Sequence, residues 1–220
     1  MRAGESTYLE ALRDGDEHTR AAVAYLLAWL TPSAGNLVEP LNAVLVADPE
    51  PAVRASAALG LSHAVKFDQE SRAFAATALR AAWERGGSEL ERRCVALALI
   101  RFEDDAIGGP VRAPLAAWLA EGVPAVRPGD RFPWIRIDSP PFVFCTLYLG
   151  TPDDQRGEAI RAACAGLPAV RDANDAADLA VWLIRLRPTY PDLQDAALAA
   201  IHGSPLAWHY TDVADALSAR

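Results

Sequence analysis

Asp48-Pro49-Glu50-Pro51-Ala52-Val53-Arg54-Ala55-Ser56-Ala57-Ala58-Leu59-Gly60-Leu61-Ser62-His63-Ala64-Val65 is the stretch on which the fold turns. Its opening writes a helix start in three ways. Asp48 can cap free N–H groups, Pro49 stands where a missing N–H costs nothing, and Glu50 faces the positive end of the helix dipole. Val53, Ala57, Leu61 and Ala64 then fall on one stripe, and Ala58, Leu59 and Val65 widen the apolar surface beyond what a one-sided surface helix requires. A helix of this kind is sandwiched between neighbours.

The rest of the composition agrees with a helical chain. Alanine and leucine dominate the 220 residues, Val, Ile and Phe are sparse, and no run alternates apolar and polar residues long enough to propose a sheet. The length suffices for one domain or one continuous helical stack with a sizeable core. Lys66 is the only lysine, and the formal net charge is −8. That balance argues against a general binder of nucleic acid or acidic membranes. Cys94, Cys145 and Cys164 are far apart in apolar helical contexts and read as small core residues, not as a disulfide framework or a zinc site. The start of the chain has no apolar signal region, and the longest apolar run, 21–30, is too short for a bilayer. The expected setting is cytoplasmic.

Outward from the central stretch, start and stop signals recur. Thr7 with Glu10 predicts a short helix over 7–13 that stops at Asp14-Gly15. Asp14 or Asp16 caps a second helix through Arg20, Val23, Leu26, Leu27 and Leu30. Asn36 and Glu39 then open a helix with Leu37, Leu41, Val44 and Leu45. Asp68 caps a helix through Phe74, Leu79 and Trp83 that ends at Gly86-Gly87, and Ser88 with Glu91 forms the clearest capping box of the chain. Aligning Asp14 with Asp48 places Arg20 on Arg54, a separation of 34 residues (54 − 20), and Arg93 follows 39 residues on (93 − 54). Periods of this size belong to helical repeats.

Residues 7–102 therefore resemble three hairpins of the HEAT-repeat type, with Asp14/Asp48 and Arg20/Arg54/Arg93 carrying the likeness. The third unit has Gly87 or Ser88 where the aspartate should stand. The resemblance implies an all-α, right-handed α-solenoid, and it implies that aspartate and arginine link neighbouring units as a polar ladder. Beyond residue 102 the pattern continues less regularly. Gly108-Gly109-Pro110 starts a helix through Leu115 and Trp118, Ser139-Pro140-Pro141 one through Phe144 and Leu149, and Thr151-Pro152-Asp153-Asp154 one through Ile160 and Cys164. Asp172, Asn174 or Asp175 starts its partner, which Pro188 stops. A further helix runs from near Pro191 to His202-Gly203, and Thr211-Asp212 caps a terminal one. The whole reads as a single domain over 1–220 of about five hairpins plus a terminal helix.

One segment breaks the helical period. The insert at about 122–139 carries three prolines between Val123 and Ser139, and loops of that length between packed helices are more often functional than inert. In it Arg127, Arg131 and Arg136 alternate with Phe132 and Trp134 and with Asp130 and Asp138. Arginine's bidentate fork and tryptophan's rigid face are enriched at binding hot spots and also serve phosphate or base stacking. Arg127, Arg131, Phe132, Trp134, Arg136 and Asp138 are thus the candidate partner-binding residues. The competing reading has Phe132, Trp134 and Ile135 folding back as a plug while the arginines pair with local aspartates.

Signatures of catalysis are missing or weak: no phosphate-binding glycine loop, no nucleophile elbow, no paired His or Cys spacing for a metal. His18, His63, His202 and His209 are scattered and read as capping or surface residues, and Trp29, Trp83, Trp118 and Trp182 read as core. The function expected is a non-catalytic protein-binding or scaffold module without a cofactor, whose acidic charge suits a partner with a basic segment. Trp208-His209-Tyr210 would cover the end of the stack, or serve a homodimer through the C-terminal end. Two enzymatic alternatives exist on the same architecture: a HEAT-like DNA glycosylase acting on alkylated bases, with Trp134, Asp138 and the loop arginines in its cleft, and a HEAT-like bilin lyase. The glycosylase demands a contiguous basic face, which a single lysine makes hard to build.

Overall fold

A computed structural model describes residues 5–30, 35–63, 68–122, 132, 134–186 and 188–204. Among these residues the chain is all-α, with no strand. Eleven α-helices follow one another: α1 (Glu5–Asp14), α2 (Glu17–Leu30), α3 (Gly35–Ala47), α4 (Pro51–Leu61), α5 (Gln69–Arg85), α6 (Glu89–Ile100), α7 (Asp105–Ala120), α8 (Pro140–Leu149), α9 (Arg156–Gly166), α10 (Ala173–Leu186) and α11 (Gln194–Gly203). The terminal helix expected at 211–220 and the Trp208-His209-Tyr210 cluster lie outside the described residues.

Four caps fall where the sequence puts them. Asp68 accepts the Ser71 N–H at 2.9 Å, Ser88 and Glu91 complete their reciprocal box, and Asp16, rather than Asp14, accepts the Thr19 N–H at 2.7 Å. Asp172 accepts the N–H groups of both Asn174 and Asp175. Other starts differ from expectation. Helix α1 begins at Glu5 and α3 at Gly35, so Thr7 and Asn36 lie inside those helices. Helix α4 begins at Pro51, with Pro51 and not Pro49 in its first turn; Asp48 accepts the Glu50 N–H at 3.0 Å one step earlier. Helix α7 begins at Asp105, capped by Asp104 on the Ala106 N–H, so Gly108, Gly109 and Pro110 lie inside it. Pro110 cannot supply the N–H that the Ala106 carbonyl would receive in an unbroken helix. Arg80 of α5 donates to that carbonyl instead.

Helices pack mainly with those near them in sequence. α1 lies on α2, α3 on α4 and α5 on α6, while the second helices stack in a row, α2 on α4 and α4 on α6. Further on, α7 packs on α6, α8 and α9, α8 on α10, and α9 on α11. Nine of the eleven α4 residues are buried, because α2, α3 and α6 flank it. This is why its apolar surface needs no polar side. Helices α2 and α4 approach closely at Gly60, where any Cβ would strike the Ala24 carbonyl oxygen. The core is largely Ala and Leu, with Phe102 and Phe144 the largest side chains fully withdrawn from solvent. Trp83, Trp118 and Trp182 flank this core half-buried rather than filling it. Trp83 and Trp118 each carry an arginine on their faces, Arg92 at 5.3 Å and Arg93 at 5.1 Å.

The hairpins are also joined by ion pairs. Arg20 of α2 forks onto Asp48 at 2.8 and 3.1 Å, and Arg54 of α4 forks onto Glu91 of α6 at 2.6 and 2.9 Å. Each guanidinium also reaches backbone carbonyls, Arg20 that of Gly15 and Arg54 those of Asp48 and Pro49. The third arginine departs from this pattern. Arg93 pairs with Glu89 of its own helix at 2.7 Å and stacks on Trp118. Asp14 joins no rung: it pairs with Arg13 in solvent.

Candidate functional site

The candidate site is the face of the α2–α4–α6 row onto which the insert returns. Phe132 is buried, Trp134 half-buried, and Ile135 and Ile137 are buried. The Trp134 indole Nε1–H donates to the Ser56 hydroxyl of α4 at 3.2 Å. Its ring stacks on Tyr25 of α2 with centroids 6.3 Å apart, meets His18 edge-on at 5.4 Å and meets Phe132 edge-on at 5.8 Å. Phe132 itself lies 6.0 Å from the His18 ring. Such tilted and edge-to-face pairs suit the ring quadrupoles and hold four rings together. Of the two readings of the insert, the aromatic half follows the plug.

The polar half goes elsewhere. Arg136 is exposed and donates to the Ser139 hydroxyl at 3.3 Å, and Ser139 donates to Asp175 of α10 at 2.9 Å. Burial pushes the Asp175 carboxyl above its usual range; the Ser139 hydrogen bond and Arg136 pull it down, and Asp172 and Asp138 push it up again. The structure thus divides the predicted constellation: Phe132 and Trp134 sit on α2 and α4, and Arg136 and Asp138 sit by the start of α10. Arg127 and Arg131 lie outside the described residues.

Sequence reading passed over Arg101, and Cys145, expected in the core, is half-buried. Arg101 closes α6 and is half-buried, and its guanidinium donates to the Ser62 hydroxyl at 3.3 Å. Burial draws the guanidinium below its ordinary pKa, and the groups acting on it are Tyr25 and Cys145. The Cys145 thiol of α8 is in turn pushed up by burial and pulled down by Arg101. No signal marks Arg101 in the sequence, because an arginine after an apolar helix normally serves as a C-terminal charge. Cys94 and Cys164 are buried free thiols, the latter pushed up to about 11 by burial. His63, expected at the surface, is buried; His18 and His202 are exposed.

Two of the cavities lie elsewhere in the stack. One is enclosed by Arg93, Leu97, Leu115, Trp118, Ile137 and Val143; at about 10 Å³ it has room for one water molecule. The other is an open groove of about 520 Å³ between α1 and α3, lined by Leu9, Leu12, Pro40, Val44 and Asp48. Among the described residues no group of His, Cys, Asp and Glu is arranged to hold a metal ion, and no helix is long and apolar enough to cross a membrane. Comparison with known proteins finds no matching family, no matching curated protein and no matching solved structure.

Proposed function

We propose that the chain is a HEAT-like right-handed α-solenoid of about five hairpins that works as a non-catalytic protein-binding module. The observation that carries this reading is the pair of equivalent rungs, Arg20 on Asp48 and Arg54 on Glu91, each tying one hairpin to the next. Stacks of helical hairpins present a long surface formed by one row of helices, and such surfaces bind other chains far more often than they host chemistry. The partner meets the protein along the α2–α4–α6 face and the insert that edges it, with Trp134 and Arg136 as contacts and Arg127 and Arg131 beside them in sequence. The acidic total favours a partner that carries a basic segment as well.

Affinity capture from the native host's lysate tests the reading. The wild type is compared with a variant in which Arg127, Arg131, Trp134 and Arg136 are all alanine. A protein retained by the wild type, lost by the variant and rebinding in purified form supports the module. Recovery of nucleic acid whose retention falls steeply with salt replaces it with the glycosylase alternative, which release of an alkylated base from duplex DNA then checks.

A further inference from the structure

Of the residues that α4 buries, all but one are alanine, valine, leucine or glycine; the exception is Ser56, which is fully withdrawn from solvent. A hydroxyl in such a place is costly unless it is hydrogen-bonded. Among the described residues its bond partner is the Trp134 indole, whose Nε1–H donates to it at 3.2 Å. Tyr25 stacks on the same indole and His18 meets it edge-on, so α2 and α4 surround one ring with an acceptor and two aromatic walls. This cradle is open on one side, since His18 is exposed and Tyr25 and Trp134 are half-buried. Side chains alone hold the insert to it. Between 134 and 138 the backbone hydrogen bonds among the described residues are turns of the insert itself, from the Ile135 N–H to the Phe132 carbonyl at 3.0 Å and from the Ser139 N–H to the Arg136 carbonyl at 3.2 Å. Ile135 and Ile137 are buried, so the segment stays anchored when the indole between solvent and cradle turns.

We propose that Ser56, Tyr25 and His18 form an exchangeable indole site, which Trp134 fills in the free chain and which a tryptophan of the bound partner takes over. That a partner's tryptophan is the natural occupant rests on the protein-binding reading above; the site and its exchange do not. An indole fits better than a phenyl ring because the phenyl has no N–H for Ser56 and would leave a buried hydroxyl without its bond. Tryptophan is also among the side chains most enriched where a few residues carry an interface. Tethering gives Trp134 a high effective concentration, so it holds the site until a partner brings contacts beyond a single ring. Rotation of the Trp134 side chain is the whole movement required, because Ile135 and Ile137 keep their places. The displaced ring then lies against the incoming segment, which keeps it among the contacts named above. The α2–α4–α6 face is thereby guarded by its own chain.

The full chain is titrated with indole and with 1-methylindole, which lacks the N–H, and binding is read from the ring-current shift of the His18 imidazole protons. Trp134→Gly is expected to bind indole about tenfold more tightly than 1-methylindole, the worth of one hydrogen bond, and Ser56→Ala in that background to erase the preference. The wild type is expected to bind indole at the same site about tenfold more weakly than Trp134→Gly, because Trp134 must leave first. No binding to Trp134→Gly, or binding without preference for indole, overturns the indole site. A wild type whose His18 signals stay unmoved up to the solubility of indole, while Trp134→Gly binds, overturns the exchange and makes Trp134 a fixed plug. If Trp134→Gly fails to fold, the wild type and Ser56→Ala decide between the same outcomes: indole must bind more tightly than 1-methylindole in the first and equally in the second. The probes need no partner, so a negative result here leaves the protein-binding reading standing, and a failed capture experiment leaves this site standing.

Discussion

A single carboxylate at Glu91 closes the capping box of α6 and receives the bidentate fork of Arg54, although it is only 5 % exposed. Burial alone would raise its pKa, but the bonds from Arg54 and from the Ser88 hydroxyl and N–H outweigh it, so the folded-state value lies below the ordinary 4.5. The stabilisation that follows is complete above pH 4.5 and is lost as the pH falls through the folded-state value. Glu91→Gln is expected to flatten that limb of a urea-denaturation series taken against pH. Glu91→Ala leaves Arg54 without its partner and is expected to cost about 3 kcal/mol, whereas Asp14→Ala in its exposed pair is expected to leave the denaturation midpoint unchanged. A pair of alanine variants at Arg54 and Glu91 with the double variant measures the coupling directly; a value near zero would show that the rung contributes nothing to joining the hairpins. The arginines of this ladder are legible from their spacing. Their partners are only half so, since Glu91 announces itself as a cap through Ser88, and nothing local shows that it also faces a residue 37 positions earlier.

At the scale of helices, boundaries written by polar caps can be read from sequence, and those set by proline can be misread. Pro110 suggests a first turn, yet Asp104 caps six residues earlier and the helix continues through Pro110 and Pro114. The Ala106 carbonyl is satisfied from a different helix, an exchange that no local pattern encodes. Arg80→Ala is expected to cost about 1 kcal/mol in the wild type and almost nothing in a Pro110→Ala background, where the N–H of residue 110 returns to that carbonyl. Equal costs in both backgrounds would refute the exchange. Close packing gives a second test on α4. Gly60→Ala forces α4 away from Ala24 of α2 and is expected to lower the denaturation midpoint by the equivalent of about 1–3 kcal/mol, despite alanine's better helix propensity. The insert illustrates the limit of reading by composition: its arginines and aromatics look like one constellation, while burial draws the rings to α2 and α4 and leaves Arg136 in water.

Among the described residues packing is dominated by elements close in sequence, and the order of the helices there could be anticipated from caps and periodicity alone. The face opposite the insert could not, because it depends on which rings a proline-rich segment reaches. The bond from Trp134 to Ser56 spans 78 residues, and the ring contacts of Phe132 and Trp134 with His18 and Tyr25 reach still further along the chain. This closure has a kinetic meaning. Helical pairs that meet neighbours need little chain entropy to form, whereas bringing residue 134 back to residue 56 requires much of the intervening chain to be in place. Refolding is therefore expected to show a fast gain of far-ultraviolet ellipticity followed by a slower tryptophan fluorescence phase, and Trp134→Phe should delete the slow amplitude and leave the fast one. The indole that docks last also sets an order of events: the hairpins assemble as an open array, and the aromatic latch then fastens across them.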